Sequence, residues 1–155
     1  HLDMIFTQVD HELCVVYPPF FVGPERLPVL HRRKGVQGVN ERPNFFTALR
    51  EVGLPLEPVS SGGSNRTRQE REQWSSSCNF LAVRPGTIVS YRRNEATLCE
   101  LEAAGFRVVP AVNFLAFDDW SEAKHRTVIT VDGSELARGG GGPRCMTLPL
   151  RRRPL

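Results

Sequence analysis

No stretch of these 155 residues is apolar for the about eighteen consecutive positions that a membrane-crossing helix needs, so no such helix is expected. Charge of one sign is scarce as well. The formal net charge is +3, with basic residues mixed among acidic ones, which is not the footprint of a nucleic-acid binder. Cysteine is sparse: Cys14, Cys78, Cys99 and Cys145, with no CxxC pair. His11-x-x-Cys14 has no second ligand pair to complete a zinc knuckle, so no metal site is expected. No secretory leader is read in these residues, so free thiols rather than disulfides and a cytoplasmic setting are the expectation. An initiating methionine is missing too. The chain opens at His1 inside what reads as structured sequence, and a piece of a longer protein is expected.

What is present is enough chain for one domain with a real core. His1 to Val9 and Leu13 to Tyr17 read as a hairpin ended by Pro18-Pro19. Local alternation along its first strand would place His1 and Asp3 on one face. Phe20 to Asn40 reads as a loop with a helical turn near Glu25–Leu30, and its run His31-Arg32-Arg33-Lys34 as solvated surface. Asn44 caps a helix that Gly53 stops, and a strand to Val59 follows. Ser60 to Ser77 is either a surface loop or a short helix near Gln69–Trp74. Asn79 to Val83 and Thr87 to Tyr91 form a second hairpin around Pro85-Gly86. Asn94 caps a second helix, Gly105 ends it, and Phe106 to Val109 is the next strand. Hairpin, helix, glycine and strand thus occur twice. That order points to an α/β fold of β-β-α-β modules, one at about 1–60 and another at about 78–155. Residues 111–126 read as a surface excursion with aromatic anchors. Thr127 to Val131 is a strand, and Arg151-Arg152-Arg153 a solvated tail.

The chemistry collects near the end, at Gly139-Gly140-Gly141-Gly142-Pro143-Arg144-Cys145. Glycines admit close backbone approach and positive φ. Cys145 to Leu150 reads as a short strand, so the thiol sits where a side-chain-free loop meets a rigid element. Arg144 beside it would favour the thiolate. A thiolate nucleophile needs an acid or base in reach. Among His1, His11, His31 and His125, His1 is preferred because a carboxylate, Asp3, shares its strand face. A carboxylate holds a planar guanidinium through paired hydrogen bonds. Thiolate attack on the central carbon of that group, with a histidine serving the leaving ammonia, is chemistry these residue types suit.

Several segments together carry a family resemblance. They are His1-Leu2-Asp3 with Met4-Ile5-Phe6-Thr7, then Gln73-Trp74 with Asn79, then Pro85-Gly86 with Tyr91 and Arg93-Asn94, and finally Gly142-Pro143-Arg144-Cys145-Met146-Thr147. In this order, over nearly the whole chain, the sequence resembles arginine deiminase. The resemblance implies the C-terminal part of a guanidino-modifying catalytic domain, a partial pseudo-fivefold α/β propeller. It implies a hydrolase that takes L-arginine to citrulline and ammonia without a cofactor. Cys145 would be the nucleophile, His1 the general acid and base, and Asp3 a guanidinium-binding carboxylate. Gly142, Arg144 and Arg138 would meet the substrate. The loop position where bacterial members often carry an arginine is Gly140 here, which leaves Arg144 or Arg138 to stand in. Tyr91-Arg92-Arg93-Asn94 departs from the usual Tyr-Asp-Arg-Asn. The family's other substrate carboxylates lie before the His-Leu-Asp segment, so the site in this chain is expected to be incomplete and the isolated chain inactive. An amidinotransferase or a methylarginine hydrolase of the same superfamily would use the same residues, and a non-catalytic amino-acid-binding or regulatory piece is the alternative from another class. The expected partner is a small guanidino molecule, with no nucleic acid and no membrane, and the full-length enzyme has room to form a homo-oligomer.

Overall fold

Two hairpins, each continued by a parallel strand, set the architecture. In the computed structural model, which describes residues 1–117 and 125–151, β1 (Phe6–Gln8) pairs antiparallel with β2 (Leu13–Val16). The short helix α1 (Pro18–Phe21) begins at the two prolines that end β2. Proline suits a first helical turn, where its missing N–H is not needed. A separate two-stranded hairpin follows, β3 (Val29–His31) with β4 (Asn40–Arg42). It corrects the expected helical turn at Glu25–Leu30. The β-branched and leucine residues of Val29-Leu30 find a strand partner across the basic run, and Arg32, Arg33 and Lys34 are exposed at its tip. Helix α2 (Phe45–Glu51) starts where Asn44 Oδ1 accepts from Thr47 N at 2.8 Å. Strand β5 (Glu57–Ser60) then runs parallel to β2, which gives the sheet order β1-β2-β5.

Of the two readings of Ser60 to Ser77, the structure takes the helix: α3 (Arg66–Trp74), capped by Asn65. The second hairpin is β6 (Leu81–Arg84) with β7 (Thr87–Tyr91). Helix α4 (Glu95–Ala103), strand β8 (Arg107–Pro110), helix α5 (Ala111–Phe117) and strand β9 (Thr127–Val131) complete the second sheet, in the order β6-β7-β9-β8. The strand after the second helix therefore does not pair with the hairpin, as the simple repeat expects. β9 lies between β7 and β8, parallel to both. The reason is burial. The Thr127–Thr130 run of β9 is buried throughout, as a central strand requires, whereas β8 carries exposed Arg107 and Pro110 and takes the edge. The expected excursion at 111–126 falls partly on helix α5, anchored by fully buried Phe114, and partly on 118–124, outside the described residues.

One core joins the two sheets. Val15 and Val59 of the first sheet, with Val9 just after β1, pack with Ile88 and Val128 of the second, with Leu98 and Leu101 of α4, and with Phe80 and Phe106, which precede β6 and β8. The first sheet's other side is closed by Phe6, Phe21, Phe45 and Phe46, whose rings meet edge-on or tilted at 5.1–6.4 Å between centroids. A backbone bond stitches the sheets as well: Gly86 N, in the turn between β6 and β7, donates to Val9 O at 2.9 Å. Asp10 reaches across to Arg126 at 2.6 Å.

The start of α4 corrects another expectation. Asn94 stands at the N-cap position, but its side chain turns away and bonds Ser75, accepting from the hydroxyl at 2.6 Å and donating to the carbonyl at 3.2 Å. The helix is capped instead by Glu72 of α3. That buried carboxylate accepts from Ala96 N at 2.8 Å, Thr97 N at 2.9 Å and Thr97 Oγ1 at 2.6 Å. A negative charge at a helix N-terminus also opposes the helix dipole favourably.

Candidate active site

The turn that carries Asp3 forms first from local bonds. Met4 N donates to His1 O at 3.1 Å and Ile5 N to Leu2 O at 3.0 Å, which winds Leu2–Met4 into a single 3-10 turn. The expected strand over His1–Val9 thus begins only at Phe6. Leu2, Ile5 and Phe6 do not alternate, so no register would bury one face of a strand there. The argument that His1 and Asp3 share a strand face falls with it, since both sit on the turn instead.

The glycine loop forms the opposite wall. Leu136–Gly139 makes a 3-10 turn, and residues 143–146 turn again, with Thr147 N and Thr147 Oγ1 both bonding Arg144 O, at 3.0 and 2.8 Å. The expected strand from Cys145 to Leu150 is absent. β9 already has a neighbour on each side, and Met146, Leu148 and Leu150 lie exposed without a ladder to join. Cys145 therefore projects from a turn. Gly141 has φ +84°, and a Cβ there would lie 2.8 Å from the Cys145 Cβ. Gly142 is held by contact: a Cβ would come within 2.7 Å of the Asn79 Cβ.

These segments, far apart in sequence, meet at Asp3. Arg144 Nη1 donates to Asp3 Oδ2 at 2.9 Å, and the Cys145 thiol reaches the same oxygen at 3.9 Å, a weak hydrogen bond. The Asp3 side chain is about one-fifth exposed and that of Arg144 about half, so the pair is open to solvent. Arg144 expends its guanidinium on Asp3, presenting to that carboxylate the group a guanidino ligand would bring. Cys145 is exposed, as is Cys99, while Cys14 and Cys78 are fully buried, and all four are free thiols. Burial, with the charge of Glu57 behind it, pushes the Cys14 thiol up to about 12. Burial does the same to Cys78, to about 12, despite hydrogen bonds from Ser61 and Ser77 that work the other way. Neither buried sulfur is placed to be a thiolate near neutral pH.

Of the sequence candidates, Cys145, Asp3, Arg144 and Gly142 come together. His1 lies exposed two residues before Asp3, and among the described residues no hydrogen bond joins its side chain to Cys145. Arg138 stays apart, in an exposed ion pair with Glu135 at 3.0 Å. The residue that sequence reading passed over as a site residue is Asn79. It is buried, and its side chain bonds both walls of the cluster: Oδ1 accepts from Gly142 N and Cys145 N, each at 3.1 Å, and Nδ2 donates to Asp3 O at 3.1 Å. Its sequence signals are its place among the segments that carry the family resemblance and its position straight after Ser75-Ser76-Ser77-Cys78 at the opening of an apolar strand; neither assigns it a role in the site.

A mixed α/β chain of β-β-α-β-like modules, with a glycine-loop thiol brought to a carboxylate from a distant turn, has the architecture of the guanidino-modifying enzymes. The comparison with known proteins narrows this. The sequence model of the family described as "Arginine deiminase" matches residues 1–152. Arginine deiminase of Rhodococcus jostii is 34% identical over 155 residues, covering 100% of this chain and 33% of the relative. That of Rhodococcus erythropolis is 35% identical over 158 residues, and that of Mycoplasma capricolum 32% over 157, again covering all of this chain and 33% and 34% of those proteins. The chain belongs to the arginine deiminase family. It spans about a third of the length of the curated relatives it matches. Among the described residues, no helix is long and apolar enough to cross a membrane.

Proposed function

We propose that the protein containing this chain hydrolyses the guanidinium group of L-arginine to L-citrulline and ammonia through a covalent thiol intermediate. The observation that carries the reading is the meeting of the Cys145 sulfur and the Asp3 carboxylate at 3.9 Å in a member of this family. Asp3 holds the substrate guanidinium, which takes the place of the Arg144 guanidinium. The Cys145 thiolate attacks its central carbon. The tetrahedral adduct expels ammonia, protonated by the His1 imidazolium, and leaves an amidino group on sulfur. His1 then takes a proton from water, the oxygen attacks the same carbon, and collapse releases citrulline and restores the thiolate. Gly142 lines the approach to the sulfur, and Arg144 and Arg138 are the cations available for the substrate's carboxylate. In this reading, 1–60 and 78–155 are modules at the C-terminal part of the catalytic domain, and the rest of the full-length protein supplies further carboxylates. The reaction is placed in the cytoplasm, on a free small molecule.

The test is an assay of the full-length gene product against arginine, methylated arginines and agmatine, with ammonia and the citrulline-type product measured together. Citrulline and ammonia from arginine support the proposal. Ammonia mainly from methylated arginine shifts it to the methylarginine hydrolase, and transfer to an amine without ammonia shifts it to the amidinotransferase. No turnover of any of them rejects it. Cys145→Ser in the active protein is expected to lower kcat by at least about 10⁴-fold, and His1→Ala to abolish citrulline formation. Normal turnover by either variant removes that residue from the mechanism.

A further inference from the structure

We infer that Asn79 is a positioning residue that locks the nucleophile loop to the carboxylate turn through one primary amide. The inference rests on Cys145 being the nucleophile, and deepens that reading by naming what places the sulfur. Asn79 comes to the cluster from the junction between α3 and β6, so it belongs to neither wall that it holds. It is 1% exposed, and its own backbone is tied down by Asn79 N donating to Ser76 O at 3.0 Å. Oδ1 accepts from both ends of one loop segment, Gly142 N and Cys145 N, while Nδ2 faces the Asp3 carbonyl. Two backbone donors on one side and a carbonyl on the other also settle which end of the amide is oxygen.

No other side chain of this size does both jobs. Leucine satisfies neither wall. Aspartate offers an oxygen to the two loop amides but sets its second oxygen against the Asp3 carbonyl. Alanine removes the partner of the buried Gly142 N–H, of the partly buried Cys145 N–H and of the Asp3 carbonyl. Asn79 also sets the limit on Gly142, because a Cβ at residue 142 would press on Asn79 at 2.7 Å. The loop is thus held by a hydrogen-bond acceptor and a steric fit at the same point. The Arg144–Asp3 ion pair also joins the two walls, but it is half-exposed, and the Asn79 amide is the buried link between the thiol's loop and the Asp3 turn. Neither has a regular element beneath it: Asp3 sits on a single turn and Cys145 on a turn without a strand. Displacing a reacting group by about an ångström costs on the order of 10²-fold in rate.

The experiment compares the full-length protein with its Asn79→Ala and Asn79→Asp variants by residue-resolved hydrogen exchange and by steady-state kinetics on arginine. In Asn79→Ala, the Gly142 and Cys145 amides are expected to exchange at least about tenfold faster, since a lost hydrogen bond of ordinary strength is worth about that factor. The amides of β7 should be unchanged, and kcat should fall about 100-fold. In Asn79→Asp, the retained oxygen should keep both loop amides protected. A merely structural role would instead speed exchange in β7 and the loop together. Unchanged loop exchange in Asn79→Ala overturns the inference, and so does a loosened loop with normal kcat. Should the alanine variant fail to fold, loss of loop protection in a folded aspartate variant overturns it. An unmodified protein that makes no citrulline defeats the catalytic proposal instead, and the exchange of the two loop amides then decides on its own whether Asn79 holds the loop.

Discussion

Two carboxylates in this molecule do opposite things with the same chemical group. Glu72 is 2% exposed, and its oxygens are taken by two backbone amides and a threonine hydroxyl at the start of α4. Every donor it faces is fixed by the fold, so nothing can exchange with them. Asp3 stands at the surface on one turn, and its Oδ2 faces a half-exposed arginine and a thiol. A flexible, solvated guanidinium is a partner that another guanidinium can replace. The difference lies in the partners rather than in the acid. Rigid backbone donors make a carboxylate a structural cap, and exchangeable side-chain donors leave it free to bind.

Substitutions at the two positions should therefore fail in different ways. The largest effect is expected at the open carboxylate: Asp3→Asn in the full-length protein should cost about 10³-fold in kcat/KM for arginine, roughly 4 kcal/mol of transition-state stabilisation. Its Tm should stay within about 2 °C, because a solvated ion pair contributes at most about 1 kcal/mol to stability. A large fall in Tm, with activity kept in the folded fraction, would break the comparison. Next is the buried one. Glu72→Ala leaves the Ala96 and Thr97 amides without acceptors and should destabilise by about 3 kcal/mol. That loss would show as a shifted denaturation midpoint with an unchanged m-value. Stability equal to the parent's would show that water replaces the carboxylate without loss.

A third carboxylate sharpens the contrast at the smallest scale. Asp10 pairs with Arg126 between the two sheets. Burial works to raise its pKa, but the hydrogen bond from Arg126, the His11 amide and the positive charges of Arg126 and His11 outweigh it and hold the group below its ordinary value. A depressed carboxylate contributes stability above its unfolded pKa of about 4 and loses that contribution as the pH falls through its folded value. Asp10→Asn should then destabilise by up to about 1 kcal/mol at pH 7, and the gap to the parent should close in acid, as the pH falls through the lowered folded value. Denaturation at pH 7 and in acid reads this directly. A gap that persists at the lower pH would assign the effect to packing rather than charge.

How legible all this was depends on how local each cause is. β7 and β9 could be read residue for residue from Thr87–Tyr91 and Thr127–Val131, where β-branched runs follow the turn glycine Gly86 or lead to the turn at Asp132-Gly133. Helix α2 could be read from Asn44, which bonds Thr47 three residues on. Cys145, Asp3 and Arg144 were legible as a set because their residue types serve one chemistry and a family arranges them in this order. Asn79 was not, since its meaning lies in amides 63 and 66 residues ahead and a carbonyl 76 residues behind. Nor was the cap of α4, which the local rule assigns to Asn94 but which comes from a carboxylate 24 residues earlier.

The amino-acid sequence alone determined the kinds of element, the family and the chemical groups available to a site, because these follow from periodicity, capping and side-chain chemistry over a few neighbouring residues. The tertiary structure alone decided that β9 would part β7 from β8, that the cysteine would leave its loop on a turn, and that one buried amide would tie that turn to Asp3. Each of those outcomes turns on which distant groups compete for the same buried hydrogen-bonding position, and that competition exists only once the chain has closed on itself.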